Sequence, residues 1–147
     1  MNATTTLRLD APATRASDRA ALAGRLIFAA VFALALSFKL ANIQGTSAYI
    51  GAVGFPAPLL LAWLAAFFEA ALIVCLATGA WFRKAALAAA AYVVFLGFAF
   101  HGPSTWSHNQ MEFGFFVDHF SFLAGLLFAV AHGPGRLWIV RWPRAQG

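Results

Sequence analysis

The sequence predicts an all-α integral membrane protein, a four-helix bundle with both termini in the cytoplasm. Three observations predict it. Hydrophobic residues make up 62% of the 147, mean hydropathy is +0.77, and only 10% are charged, where a soluble globule carries about 25%. Four apolar runs have the length of a bilayer-crossing helix, for which roughly 20 residues cover about 30 Å of hydrocarbon. Nine of the ten basic residues fall on one side of the resulting topology.

Residues 1–18, rich in Thr and Ala with Arg8, Asp10 and Arg15, show no apolar period and read as a flexible cytoplasmic tail. The run from Ala20 to Leu40 is too long for a signal-peptide core and has no small-residue cleavage site, so it reads as an uncleaved first spanning helix. Arg25 and Lys39 lie near its two ends, where long stems carry charge back to the interface. A Gly- and Pro-containing linker from Asn42 to Ala57 follows, whose middle, SAYIGAV, reads as a short interfacial segment. The second spanning helix is Pro58 to Gly79, and a basic turn, Trp81-Phe82-Arg83-Lys84, leads to the third, from about Ala85 to Phe100. A polar loop from His101 to Glu112 precedes the fourth, from about Phe113 to His132, which Gly133-Pro134-Gly135 ends. The four-helix domain thus covers residues 19–136, and residues 137–147 form a basic tail.

Arg8, Arg15, Arg19, Arg25, Arg83, Lys84, Arg136, Arg141 and Arg144 share one side, with Lys39 alone on the other. The positive-inside rule makes the crowded side cytoplasmic, so both termini lie there. Trp81, Trp138 and Trp142 then sit at the inner interface and Tyr49 and Trp106 at the outer one. The formal charge of +5 lies beside apolar runs rather than on an aromatic-interleaved stripe, which fits a lipid bilayer as partner and not a nucleic acid. The single cysteine, Cys75, excludes an internal disulfide, a CxxC motif and a thiolate zinc site.

Helices in lipid associate through small residues and polar contacts. The expected inward stripes are Ala30, Ala33, Ser37 and Ala41; Ala62, Ala65, Ala66 and Glu69; Ala86, Ala90, Gly97 and His101; and Asp118, Ser121, Gly125 and Ala129. Glu69 is the residue the rest must answer to, because an acid at mid-bilayer costs roughly 2.5 to 3.5 kcal/mol unless it finds a partner. It lies roughly 16 Å down its helix at 1.5 Å per residue, Asp118 and His119 lie roughly 8 Å down theirs, and Lys39 and His101 cap the outer ends of the first and third. These five residues are the candidate site, a polar chamber in the outer half of the bundle. The two hairpins also echo each other, each with a cation (Lys39, His101), an outer loop, and a helix bearing an acid (Glu69, Asp118).

Several segments together resemble the DoxX family of small four-helix bacterial membrane proteins. They are Arg25 with Phe28 and, fourteen positions on from Arg25, Lys39; GFPAP before the second helix; Glu69; LATGAWFRKAAL; and Gly133-Pro134-Gly135-Arg136. The likeness runs from about Ala23 to Arg136. The sequence departs from the family where Ala and Leu replace glycines of the first helix and where Leu137-Trp138-Ile139-Val140 stands in place of an acidic residue. The resemblance implies a bacterial inner-membrane location and a quinone-linked or accessory role beside other membrane or redox subunits.

Three readings of the chamber stay open. In one it binds a quinone headgroup, with Glu69 and Asp118 as the catalytic proton carriers, Lys39, His101 and His119 as ligand contacts, and Phe67, Phe68, Phe95, Phe116 and Phe120 as walls. No electron carrier or self-contained catalytic motif is recognisable, so electrons would come from a partner. In the second, Glu69 pairs with Lys39 or a histidine to fix the bundle of a non-catalytic accessory subunit. The third is a metal or haem site on His101, His119 and His108, which lack the i, i+4 spacing of a helical ligand pair, so neither metal nor haem is expected.

Overall fold

A computed structural model of the chain describes residues 14–107 and 109–140. The expectations placed on residues 1–13, on His108 and on Arg141, Trp142 and Arg144 lie outside them. The elements, in order, are α1 (Arg15–Ala41), α2 (Ile43–Ala52), α3 (Pro58–Thr78), α4 (Phe82–His101), α5 (Pro103–Trp106) and α6 (Gln110–His132). Helices α1, α3, α4 and α6 are long and apolar enough to cross a membrane, and no strand is present among the described residues.

Local chemistry sets the boundaries. The Thr14 hydroxyl accepts from the Ser17 amide at 3.2 Å, starting α1 at Arg15 rather than Ala20, so the described end of the expected tail is helical. Asn42 ends α1 and starts α2 at once: its amide donates to Phe38 O, and its side chain accepts from the Gly45 amide at 2.8 Å. A Cβ on Gly45 would sit 2.5 Å from that side chain, so glycine permits the tight junction. Pro58 opens α3 and Gly79, at φ 74°, closes it. Asn109 caps α6 through the Met111 amide, which starts that helix at Gln110, ahead of Phe113.

Each hairpin is long helix, short helix, long helix. Helix α1 packs on α3 and α4 on α6, α3 and α4 join the two pairs, α2 lies on α3, and α5 lies on α6. The dry core fills the half of the bundle nearer the termini, with Phe32, Leu72, Leu76, Phe82 and Leu126 set among the alanines Ala29, Ala86, Ala89 and Ala90. Alanine brings α4 close to its neighbours, the packing expected where lipid gives no hydrophobic incentive to associate.

Both termini of the described chain meet at one end, held by a polar clasp. Asp18 accepts from Arg136 through its backbone amide (3.0 Å) and Nε (2.8 Å). Arg25 is 1% exposed. Instead of carrying its charge to the interface, it donates to the carbonyls of Pro134, Leu137 and Trp138 at 3.1 to 3.3 Å. The amide of Val140 donates to Thr78 O, so the first residues of the expected tail are pinned to the bundle.

Two inward faces differ from expectation: on α6 Asp118 and Ser121 are exposed, and the other is that of α1. Ala30, Ala33, Ser37 and Ala41 are exposed, and α1 buries Arg25, Ala29 and Phe32 instead. Phe28 explains the rotation: its ring reaches across to Gly125, where a Cβ would lie 2.8 Å away, and sits 6.2 Å from the Phe122 ring. On α3 and α4 the expected Ala62, Ala66, Glu69, Ala86, Ala90 and Gly97 are buried.

Candidate functional site

Glu69 sits midway along α3 and is 1% exposed. Its Oε1 accepts from Lys39 Nζ of α1 and from the Tyr92 hydroxyl of α4, both at 2.9 Å. One carboxylate oxygen thus ties three spanning helices together. Oε2 is buried and has no hydrogen-bond partner among the described residues. Phe68 packs edge-on against Tyr92 with ring centroids 5.1 Å apart.

Beside this triad lies a cavity of about 1020 Å³ in the half of the bundle away from the termini. Helix α1 contributes Ala35, Phe38 and Lys39 to its wall, α3 contributes Leu61, Leu64, Ala65 and Phe68, and α4 contributes Ala88, Ala91, Tyr92, Phe95, Leu96 and His101. Thr46, Tyr49 and Ile50 of α2, with Phe55, close one side. Tyr49 stacks on Phe100 at 5.2 Å, and Phe55 meets Phe95 and Phe100 at 5.8 and 6.0 Å, so aromatic contacts hold this cover on α4. Burial and the nearby Glu112 carboxylate hold the Tyr49 phenol above the usual tyrosine range.

The wall is mainly apolar and aromatic, not the polar chamber that five ionisable residues lead one to expect. Its polar side chains are Lys39, Asn42, Thr46, Tyr49, Tyr92, His101 and His119. His101 Nδ1 lies 2.6 Å from Glu112 Oε2, and Trp106 Nε1 donates to the His101 carbonyl at 2.9 Å, which fixes the end of α4. His119 Nδ1 donates to Phe115 O at 2.7 Å. The two rings lie 5.2 Å apart, and with each Nδ1 engaged, Nε2 is the nitrogen left for a ligand. Gly97 makes room for His119, since a Cβ there would sit 3.2 Å from the His119 Cβ.

Four of the five expected site residues therefore gather here, but not in the expected roles. Lys39, His101 and His119 line the cavity, while Glu69 stands behind the wall and connects to it through Lys39 and Tyr92. Asp118 is the correction: it is exposed on α6, and the cavity wall does not include it. The acid that completes the second hairpin is Glu112, paired with His101. Of the expected aromatic walls, Phe68 and Phe95 are present, whereas Phe116 and Phe120 cluster with Phe98 instead. Among the described residues, no three His, Cys, Asp or Glu side chains come together as a metal site would need.

Tyr92 is the participant that sequence reasoning missed. The chain has two tyrosines, and this one stands in the middle of α4, away from the interfacial belt where membrane tyrosines collect. A phenol at that depth needs a hydrogen-bond partner, and that requirement was the available signal.

The DoxX family model matches residues 20–102, more than half of the chain. That stretch contains α2, α3, the Lys39–Glu69–Tyr92 triad and His101, and it stops short of the Gly133-Pro134-Gly135-Arg136 segment to which the resemblance extends. No curated protein and no solved structure matches the chain.

Proposed function

The chain belongs to the DoxX family, and from that premise we propose that this multi-pass membrane protein binds the headgroup of a quinone as a subunit of a quinone-linked oxidoreductase system. One observation carries the reading: a large aromatic-walled cavity lined by two sets of hydrogen-bonding groups, Lys39 and Tyr92 with the buried Glu69 carboxylate behind them, and His101 beside His119. Ligand pockets typically run from about 300 to 1000 Å³ with few, convergent polar groups, and this cavity matches that description in size and lining.

The donor set fits a quinone ring. Lys39 has three N–H groups and gives one to Glu69, so others remain for a carbonyl oxygen. With Nδ1 already donating, the Nε2 of a neutral His101 or His119 is an acceptor, suited to a hydroxyl of the reduced ring, and Phe68 and Phe95 line the same wall. A bound quinone supplies a two-electron, two-proton acceptor, the electrons coming from a partner redox protein. What the chain itself does is hold and pass protons. Glu69 does not face the cavity, so a proton moving between its carboxylate and the ligand passes along the Tyr92 hydroxyl or the Lys39 ammonium. A proton passed along either group arrives at Oε1, the oxygen both contact, while Oε2 stays buried without a partner among the described residues. Asp118 has no part in this scheme.

The location that goes with it is the bacterial inner membrane. The basic residues Arg15, Arg19, Arg83, Lys84 and Arg136 gather toward the end of the bundle that carries the termini, which supports both termini in the cytoplasm and a cavity in the outer half.

A specific observation also favours a second reading, an accessory subunit without chemistry of its own. Glu69 bridges three helices at once, as a purely structural lock would. Glu69→Gln separates the two. With assembly intact, loss of quinone-dependent turnover supports proton handling. Unchanged turnover in a stoichiometric larger complex refutes it in favour of the accessory role. Extraction of the gently purified protein, with chromatography of the extract, tests for co-purifying quinone.

A further inference from the structure

Three of the four acidic side chains among the described residues are answered by a cation: Asp18 by Arg136, Glu69 by Lys39 and Glu112 by His101. Asp118 is the exception. It is exposed on α6, and no hydrogen bond or ion pair joins its carboxylate to another described residue. Its depth makes that costly. From Asp118 to the end of α6 at His132 is 14 helical steps, roughly 21 Å at 1.5 Å per residue, against about 30 Å of hydrocarbon. With His132 at one boundary, Asp118 lies roughly 9 Å inside the other, on the side away from the termini. An aspartate has a single methylene for a stem, so it cannot carry its charge back to the headgroups as a lysine or arginine does. Ionisable groups at such depth are almost always paired.

The surface around Asp118 suits a helix. Gly114, Asp118, Ser121 and Phe128 recur at helical spacing and share one exposed face of α6. A Cβ on Gly114 would meet nothing within 4 Å, so the face is open there, and small residues let a second backbone come close. Helix α6 packs chiefly on α4 and buries only Leu126 along its 23 residues.

We propose that this face of α6 docks a spanning helix of a different protein, one that carries a lysine or arginine at the depth of Asp118 and pairs with its carboxylate. Charge complementarity selects that occupant over a second copy of this chain. Two copies meeting on this face would set Asp118 against Asp118, and a copy has no cation to spare in this half of the membrane. Lys39 is taken by Glu69, and the other described lysine and arginine residues belong to the end that carries the termini. His101 and His119 turn toward the cavity. The docking face stands apart from that cavity and does not depend on what the cavity binds.

The test uses the full-length protein in phosphatidylcholine vesicles and two synthetic probes, a leucine–alanine helix of about 20 residues with one arginine roughly 9 Å from its end, and the same helix with leucine in that place. Energy transfer between dyes on the protein and on the probe reads association. The arginine helix should bind about tenfold more tightly than the leucine helix. Asp118→Leu should abolish the difference, and Gly114→Leu, which adds bulk where the protein itself has open space, should weaken binding of the arginine helix. Equal binding of the two probes to the wild-type protein, or a preference for arginine that survives Asp118→Leu, would overturn the inference. So would self-association of the protein without probe that Asp118→Leu dissolves, since the face would then belong to a second copy. Should Asp118→Leu fail to fold, Gly114→Leu decides, and undiminished binding of the arginine helix to that variant would overturn the inference. None of these outcomes bears on the quinone reading of the cavity.

Discussion

The Lys39–Glu69 pair makes an asymmetric prediction. The side chain of Glu69 is 2% exposed and that of Lys39 is 19% exposed, so the two partners are not equally able to survive alone. Lys39→Met strands a carboxylate in the bundle with Tyr92 as its one remaining donor, and breaking a buried pair from that side costs about 3 to 5 kcal/mol. Glu69→Gln leaves an amide that still accepts from both neighbours, and Lys39 lies near the end of α1 with a path to water, so about 1 kcal/mol is expected. The double variant removes the charge together with its partner and should fall close to Glu69→Gln, giving a coupling energy of about 3 to 5 kcal/mol. Equilibrium unfolding in mixed micelles, followed by circular dichroism, reads all four corners of the cycle. Equal costs for the two single variants, or additivity within about 0.5 kcal/mol, would refute the reasoning, because either result means that Glu69 reaches water or that its contacts carry no energy.

Two further outcomes follow from the other end of the bundle and from the topology. Arg25→Gln should cost about 2 to 4 kcal/mol and raise hydrogen exchange selectively across residues 133–140, since it releases three carbonyl acceptors. Gly79→Ala should reproduce part of that pattern at about 1 to 2 kcal/mol, because its φ of 74° disfavours a side chain and its Cβ would lie 2.8 Å from Arg25 Nη1; no change in exchange there would dissociate Gly79 from the clasp. For orientation, in a Cys75→Ala background a cysteine at the exposed Ser104 should react with an impermeant maleimide added from outside the cell, and one at Arg83 only after permeabilisation; the reverse pattern would invert the topology.

The four long helices were legible because length and hydropathy are properties of whole segments, insensitive to any single residue. Glu69 was legible because an acid in such a segment is costly enough to demand company. The rotation of α1 was not, because alanine occurs on every face and a small-residue rule cannot choose among equals. A charge-first rule would have chosen: Arg25 and Lys39, fourteen positions apart, return to nearly the same face and bracket Ala29 and Phe32. Asp118 was misplaced for a related reason. It stands in helical register with Ser121, Gly125 and Ala129, but α6 is turned by the notch that Gly97 offers His119, and one residue's difference on a helix is about 100°. Glu112 was read as the end of a loop because the capping action of Asn109, which extends α6 and aligns Glu112 with His101, depends on side-chain direction.

The clasp at Arg25 also bears on how the protein is made. The guanidinium enters the membrane with α1, yet its acceptors come 109 to 113 residues later in the chain. At translation speeds of about 5 to 20 residues per second, a nascent molecule holds that charge unanswered for roughly 5 to 20 s. During that interval, headgroup phosphates or water must attend it, until the carbonyls of Pro134, Leu137 and Trp138 replace them. The bundle is therefore closed only once the segment that follows α6 has docked on Arg25, and the earlier intermediates are the ones most exposed to quality-control proteolysis.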